Sequence, residues 1–392
     1  MINFTRRIPT KFVFGRGVEN QTGAEVKALG ATKALLHYGG GSAVRSGLIG
    51  RIEASLEAAG VPYVVLGGAQ PNPRDTKVYE GIELIRREGV DFVLAVGGGS
   101  TIDSAKAMAH GAVYEGDFWD FYCGKAVPKK ALPVGVVLTM AAAGSESSNS
   151  SVITQESTQT KRGLNVETNR PVLAIMNPEL TMTLPAYQTA AGATDIMAHI
   201  MERYFTNEPD VDLTDRLCEA TLQAVIRAAR AAVRNPEDYD ARAQLMWGGT
   251  IAHNDTLGVG RVGDWASHQI EHELSAKYDV AHGAGLAVVF PAWMRYNLNH
   301  NPMRFAQFAV RVWGCEMDFE HPEKTALRGI EAYETFLREI GMPVTFRELG
   351  ADPADIPAMA AKVKRGPDGT TGNYVKLNTA DIEAIYRIAC RD

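Results

Sequence analysis

At 392 residues, with 45% apolar and 22% charged residues, the chain has the make-up of a folded protein of two domains and not of a disordered one. Its formal charge of −6 provides no long-range attraction to nucleic acid or to an anionic membrane, so neither is an expected partner. Cys123, Cys218, Cys315 and Cys390 form no CxxC pair, which argues against a disulfide scaffold or a thiolate zinc site and fits a reducing compartment. Residues 1–10 lack the apolar core of a secretory signal, and apolar stretches such as 135–144 are too short to span a bilayer. A soluble, cytoplasmic protein is expected.

In chain order, the first half predicts a strand at 33–38, a helix at 47–59, a strand at 61–66 and a helix at 75–88. A strand at 92–96, a helix at 100–110 and a strand at 132–138 follow. Leu48, Ile52 and Leu56 share one helical face, as do Val78, Ile82 and Ile85. Strands alternating with helices of this length imply parallel βαβ units. Residues 152–176 read as a hairpin or an extra sheet edge. Beyond Leu184-Pro185 the period is helical at 188–205, 212–234, 238–253, 264–276, 281–299, 324–340 and 379–389, with no strand. Pro236, Pro291, Pro302, Pro343 and Pro353 are expected mostly at helix starts or stops. The plan is an α/β domain over 1–186 and an all-α domain over 187–392, with ligands in a cleft between them.

Gly97-Gly98-Gly99-Ser100 follows the strand at 92–96 and opens a helix. Glycine admits close approach of a pyrophosphate, and a helix N-terminus offers free N–H groups, although a plain strand-to-helix turn has the same look. A second triplet, Gly39-Gly40-Gly41-Ser42, follows the strand at 33–38, which favours a dinucleotide. Neither is a G-x-G-x-x-G fingerprint or a P-loop. Gly144-Ser145-Glu146-Ser147 adds small donors or is a bland loop. The loop at 39–42 carries no acidic residue and is followed by Arg45, an arrangement that leaves room and charge for a 2′-phosphate. NADP(H) is therefore expected over NAD(H).

Asp195 and His199 stand four residues apart on one predicted helix, and His268 and His272 repeat that spacing on another. Side chains at this spacing project from the same face and suit ligands of one cation. His282, beside Gly283, begins the next helix. Isolated histidines are as often core or surface residues; a buried aspartate, however, needs a partner that a cation supplies. One carboxylate with up to three imidazoles leaves an open coordination position, the mark of a catalytic site, and serves Zn2+ or Fe2+. The aromatic run 118–124 is read either as a pocket lining or as a cover for the sheet edge.

These spacings, behind Gly97-Gly98-Gly99-Ser100-x-x-Asp103, closely resemble the iron-containing (group III) alcohol dehydrogenase family over essentially the whole chain. Tyr38-Gly39-Gly40-Gly41-Ser42, Pro71-Asn72-Pro73, Gly144-Ser145-Glu146-Ser147, Asp264-Trp265-Ala266 and His272-Glu273-Leu274 resemble its NADPH-dependent butanol dehydrogenase and aldehyde reductase branch. The resemblance implies a dehydroquinate synthase-like fold, metal ligands at Asp195, His199, His268 and His282, and His272 beside the metal in proton relay or nicotinamide positioning. It implies cofactor contacts at Asp103, Thr139, Ser145 and Lys161, and a homodimer. The implied reaction passes hydride between NADP(H) and a small to medium aldehyde or primary alcohol. A glycerol-dehydrogenase-like polyol oxidoreductase and a non-catalytic NADP-binding sensor are the alternatives. A dehydroquinate-synthase-like activity is disfavoured by the apolar and small residues around the histidines.

Overall fold

Hydrophobic runs buried on both faces organise the first unit of the computed structural model, which describes residues 1–391; Asp392, the end of the expected helical domain, lies outside the described residues. The chain divides into an α/β unit, Arg7–Thr183, and a helical unit formed by Met1–Arg6 with the chain from Leu184 on. Strands β1 (Lys11–Phe14), β2 (Ala34–Tyr38), β3 (Tyr63–Leu66), β4 (Phe92–Gly97) and β5 (Val134–Leu138) lie in one parallel sheet. Strands β6 (Ser150–Gln155) and β7 (Thr160–Asn165) form a separate antiparallel hairpin, and β8 (Leu173–Met176) completes the main sheet in the order β1-β8-β5-β4-β2-β3. Every residue of β4, β5 and β8 is buried, as expected of parallel strands covered on both faces.

The segment 152–176 thus contains a hairpin, but its last strand is not an edge: β8 inserts between β1 and β5. Helices α1 (Thr22–Ala28), α2 (Ser42–Arg45), α3 (Leu48–Ala58), α4 (Asp75–Glu88), α5 (Gly99–Ala112) and α6 (Trp119–Tyr122) complete the unit. The predicted faces are the buried ones: Leu48, Ile52 and Leu56 on α3, and Val78, Ile82 and Ile85 on α4. The aromatic run packs inward within this unit. Phe118 meets Tyr79 edge-on at 4.7 Å, Trp119 stacks on Tyr122 at 5.4 Å, and the Tyr122 hydroxyl bonds Ser151 on β6. His37 is buried in β2, its Nδ1–H donating to Leu66 O at 2.8 Å, and burial pushes its pKa down to about 4.

The helical unit holds α7 (Ala186–Tyr204), α8 (Asp212–Arg234), α9 (Tyr239–His253), α10 (Ala266–Tyr278), α11 (His282–Asn297), α12 (Pro302–Trp313) and α13 (Pro322–Glu339). The shorter α14 (Phe346–Leu349), α15 (Ile356–Lys362) and α16 (Thr379–Ile388) follow, with no strand among the described residues of this unit. Residues 1–6 lie against it: Ile2 N–H donates to Gly260 O at 3.0 Å and Arg6 to Thr256 Oγ1 at 2.5 Å. Pro291 departs from expectation, for it lies inside α11 and not at an end. A proline costs a helix interior one hydrogen bond and about 3 kcal/mol. Here Leu286 to Met294 are all buried, and that packing carries the helix through. No described helix is long and apolar enough to cross a membrane.

Candidate metal centre and nucleotide loops

Three helices of the helical unit bring titratable side chains together. α7 presents Asp195, His199 and Glu202 at positions i, i+4 and i+7; α10 presents His268, Glu271 and His272; and His282 opens α11. Gly283 makes that approach possible, because a Cβ there would run into the Ala191 carbonyl of α7. Trp265, just before α10, holds a left-handed backbone at φ 68°, and its N–H donates to Glu202 Oε2 at 2.6 Å. Strain of this kind persists only where surrounding contacts impose it.

One ligand atom each from Asp195, His268 and His282 lies within 4.8 Å of the others. His268 donates from Nδ1 to Glu202 Oε1 at 2.8 Å, so its Nε2 carries a lone pair. That Nε2 is buried without a hydrogen-bond partner among the described residues, and Asp195 Oδ1 is buried with no well-aligned donor, His199 Nδ1 standing 3.1 Å away. His282 donates from Nδ1 to Glu271, and its Nε2 is 3.9 Å from Asp195 Oδ1. His199 stands beside this trio and not within it: its Nδ1 bonds the Asp195 carbonyl at 2.8 Å, and its ring centre is 4.5 Å from that of His268. His253, at the end of α9, covers the other side of His199 at 4.1 Å. His272 falls into a second trio with Glu271 and His282, its ring 5.7 Å from that of His282.

The electrostatics follow from burial and neighbours. Burial opposes ionisation of Asp195, but His199 and His282 outweigh it and hold the carboxyl well below the usual range. Burial, then His199 and His282, push His268 well below an ordinary histidine, so it is neutral at pH 7. Glu202 is pushed up to about 7 by burial, and Asp264 to about 7 by burial and by Glu202. Buried acceptor atoms within 4.8 Å of one another are costly unless a cation or a donor compensates them. This oxygen and nitrogen donor set fits a divalent metal.

In the α/β unit both glycine triplets converge on Thr101. A Cβ on Gly97 would overlap the Thr101 side chain, and one on Gly39 would lie 3.4 Å from its Oγ1. Gly98 caps α5, its carbonyl accepting from Thr101 and Ile102 N–H at 3.1 Å each, and Gly99 and Ser100 form the helix N-terminus. Gly40 faces open space, and Arg45, exposed, folds over Gly41 so that a Cβ there would lie 2.5 Å from its Nη1. Ser42 opens the one-turn helix α2. Thr139 N–H donates to Gly97 O at 3.1 Å, beside the triplet at 97–99. Lys161 is buried on β7, its Nζ donating to Asn72 Oδ1 at 3.0 Å. Asp103 and Ser145 turn toward each other: the Ser145 hydroxyl donates to Asp103 Oδ1 at 2.6 Å, and Val152 N–H to Oδ2 at 2.8 Å.

Sequence reasoning passed over three buried charges. Lys106 on α5 bonds Ser145 Oγ at 2.8 Å and Ser150 O at 2.7 Å, which ties down the Gly144–Ser147 loop. Glu202 and Glu271 hold the Nδ1 of His268 and of His282. Both glutamates were legible by spacing, since each lies three residues beyond a histidine on the same helical face.

A parallel sheet with glycine turns at two strand ends, and a helical unit with a carboxylate–imidazole cluster, define a two-unit oxidoreductase. Residues 9–178 match the iron-containing alcohol dehydrogenase family model, and residues 189–390 match the C-terminal model of the Fe-containing alcohol dehydrogenase family. The chain belongs to the iron-containing alcohol dehydrogenase family. It is 41% identical to the probable NADH-dependent butanol dehydrogenase 1 of Bacillus subtilis, covering 99% of each chain. It is 34% identical to the NADPH-dependent aldehyde reductase YqhD of Escherichia coli, covering 93% of each. The crystal structure of NADH-dependent butanol dehydrogenase A from Thermotoga maritima is 41% identical and superposes with a TM-score of 0.96, covering 99% of each chain.

Proposed function

We propose that the chain is a metal-dependent alcohol dehydrogenase and aldehyde reductase that interconverts small to medium aldehydes and primary alcohols with NADP(H). The observation that carries the metal site is the grouping of Asp195, His268 and His282, with His268 Nε2 buried and unbonded and Asp195 Oδ1 buried with no well-aligned donor. Asp195, His199, His268 and His282 hold the cation, Zn2+ or Fe2+; for His199 this needs only the Nε2 opposite its bonded Nδ1. A cation held there would supply Lewis-acid chemistry at the substrate oxygen, and a reduced nicotinamide would supply the hydride. His272, packed beside His282, moves a proton to or from the substrate oxygen through a ring nitrogen. Gly39–Ser42, Gly97–Ser100 and Thr139 line the nucleotide's path, Lys161 contacts its ribose, and the Asp103–Ser145 pair fixes the adjoining loop.

The relatives are named for either cofactor; the acid-free loop at 39–42 with Arg45 over Gly41 supports NADP(H) here. A cytoplasmic homodimer completes the proposal, supported by the edge position of β1, where a second copy could add a strand. The test is chelation followed by butanal reduction with NADPH. Activity is expected to vanish with the metal and to return in part with zinc, iron or manganese. His268→Ala is expected to lose metal while remaining folded. Full turnover by protein with no measurable metal would overturn the proposal.

A further inference from the structure

We infer that Glu271 is a positioning residue for the metal site: its carboxylate holds His282 with the proton on Nδ1, so that the Nε2 lone pair faces Asp195 and His268. The inference rests on the assignment of His282 to the cation made above. His282 needs such a hold. It is the first residue of α11, it follows a turn in which Asp279 is left-handed at φ 52°, and its side chain keeps 24% exposure while those of Asp195 and His268 keep 6%. The rings of His268 and His272 stand 5.3 and 5.7 Å from its own, and packing of that kind does not choose which ring nitrogen carries the proton; a hydrogen bond does.

Glu271 is built for the task. It is fully buried on α10, and its two oxygens are divided between two donors: Oε1 takes the Ser275 hydroxyl one turn along, and Oε2 takes His282 Nδ1–H. The facing helix is hollowed to admit it, because a Cβ on Gly285 would collide with the Glu271 carboxylate. An acceptor at Nδ1 selects the tautomer whose Nε2 can bind a cation, and its charge makes that nitrogen more basic. Glu202 serves His268 in the same way, so two of the imidazoles are held by buried carboxylates.

The test measures Zn2+ affinity of the full chain by competition with a chromophoric chelator at fixed pH, alongside thermal melting of the metal-free protein. Glu271→Gln keeps the size and removes the charge. It is expected to melt as the unaltered chain does, to bind one zinc per chain, and to bind it about 10- to 100-fold more weakly. Glu271→Asp, which keeps the charge, is expected to recover part of the loss and carries the comparison if the glutamine variant does not fold. Unchanged affinity in both variants overturns the inference; so does complete loss of zinc in Glu271→Gln, which would make Glu271 a ligand. His282→Ala separates the two levels. If it loses zinc while both Glu271 variants bind it with unchanged affinity, only the role of Glu271 fails; if it keeps wild-type affinity, the ligand assignment fails with it.

Discussion

Glu202 accepts two hydrogen bonds from His268, one from its backbone N–H at 3.1 Å and one from ring Nδ1–H at 2.8 Å. With Trp265 N–H on its other oxygen, this one carboxylate ties the first turn of α10 to α7. Glu271, by contrast, receives its described bonds from side chains. Removing Glu202 therefore strands one buried and one part-buried backbone donor besides freeing a ring. Glu202→Ala is expected to destabilise the metal-free chain by about 3 kcal/mol, read from its denaturant midpoint. A midpoint equal to that of the unaltered chain would show that α10 is anchored by packing alone.

His272 is close enough to Glu271 and His282 to join a ligand set of its own, yet Asp195 is not in that group. On the proposed assignment it relays a proton and does not bind. His272→Ala should keep metal content near one per chain while lowering turnover or altering its pH profile. Metal loss as complete as in His268→Ala would reassign it as a ligand.

His37 gives the α/β unit a pH dependence of its own. The unfolded chain takes up its proton near pH 6.5, and the folded chain only near pH 4. Stability from this group is therefore intact above pH 6.5, falls as the pH drops through that window, and levels off below it. A shift of this size corresponds to about 3 kcal/mol. Replacing His37 by leucine should flatten the slope of unfolding free energy between pH 6.5 and 4. An unaltered slope would mean that other groups set the acid limit.

Periodicity exposed the elements whose burial is one-sided or continuous. Helix α4 lies at the predicted residues 75–88, and α8 at 212–234. Short elements defined by distant pairing were not legible. β1 is four residues long and only half-buried at its centre, and its register comes from β8, some 160 residues away in sequence. Helix α12 was missed although it carries the signals: an Asn301 cap, Pro302 in the first turn, and Phe305, Phe308, Ala309 and Val312 on one face. In the candidate site, four-residue spacing pointed to His199, His268 and His272, and a helix start to His282. The glutamates also lie at helical spacing from a histidine, but which ring each one holds needed the fold, because Glu202 meets His268 across 66 residues.

Cofactor choice turns on Gly40. An aspartate in this loop would accept hydrogen bonds from the two adenine-side ribose hydroxyls of NAD and would repel a 2′-phosphate. A side chain can be added there without a clash, because a Cβ on Gly40 meets nothing within 4 Å. The substitution therefore tests charge and not packing. Arg45 is the basic residue nearest the triplet in sequence, and its guanidinium already reaches back over Gly41. A charge-assisted contact of this kind contributes roughly 1.5–3 kcal/mol, on the order of ten- to a hundredfold in cofactor preference. Gly40→Asp should raise the Michaelis constant for NADPH by that factor while leaving the one for NADH equal or lower. Arg45→Ala should weaken NADPH alone, since NADH presents no phosphate at that position. If the unaltered enzyme uses NADH as efficiently as NADPH, or if Arg45→Ala weakens both equally, the loop is no phosphate site and the guanidinium only covers a turn.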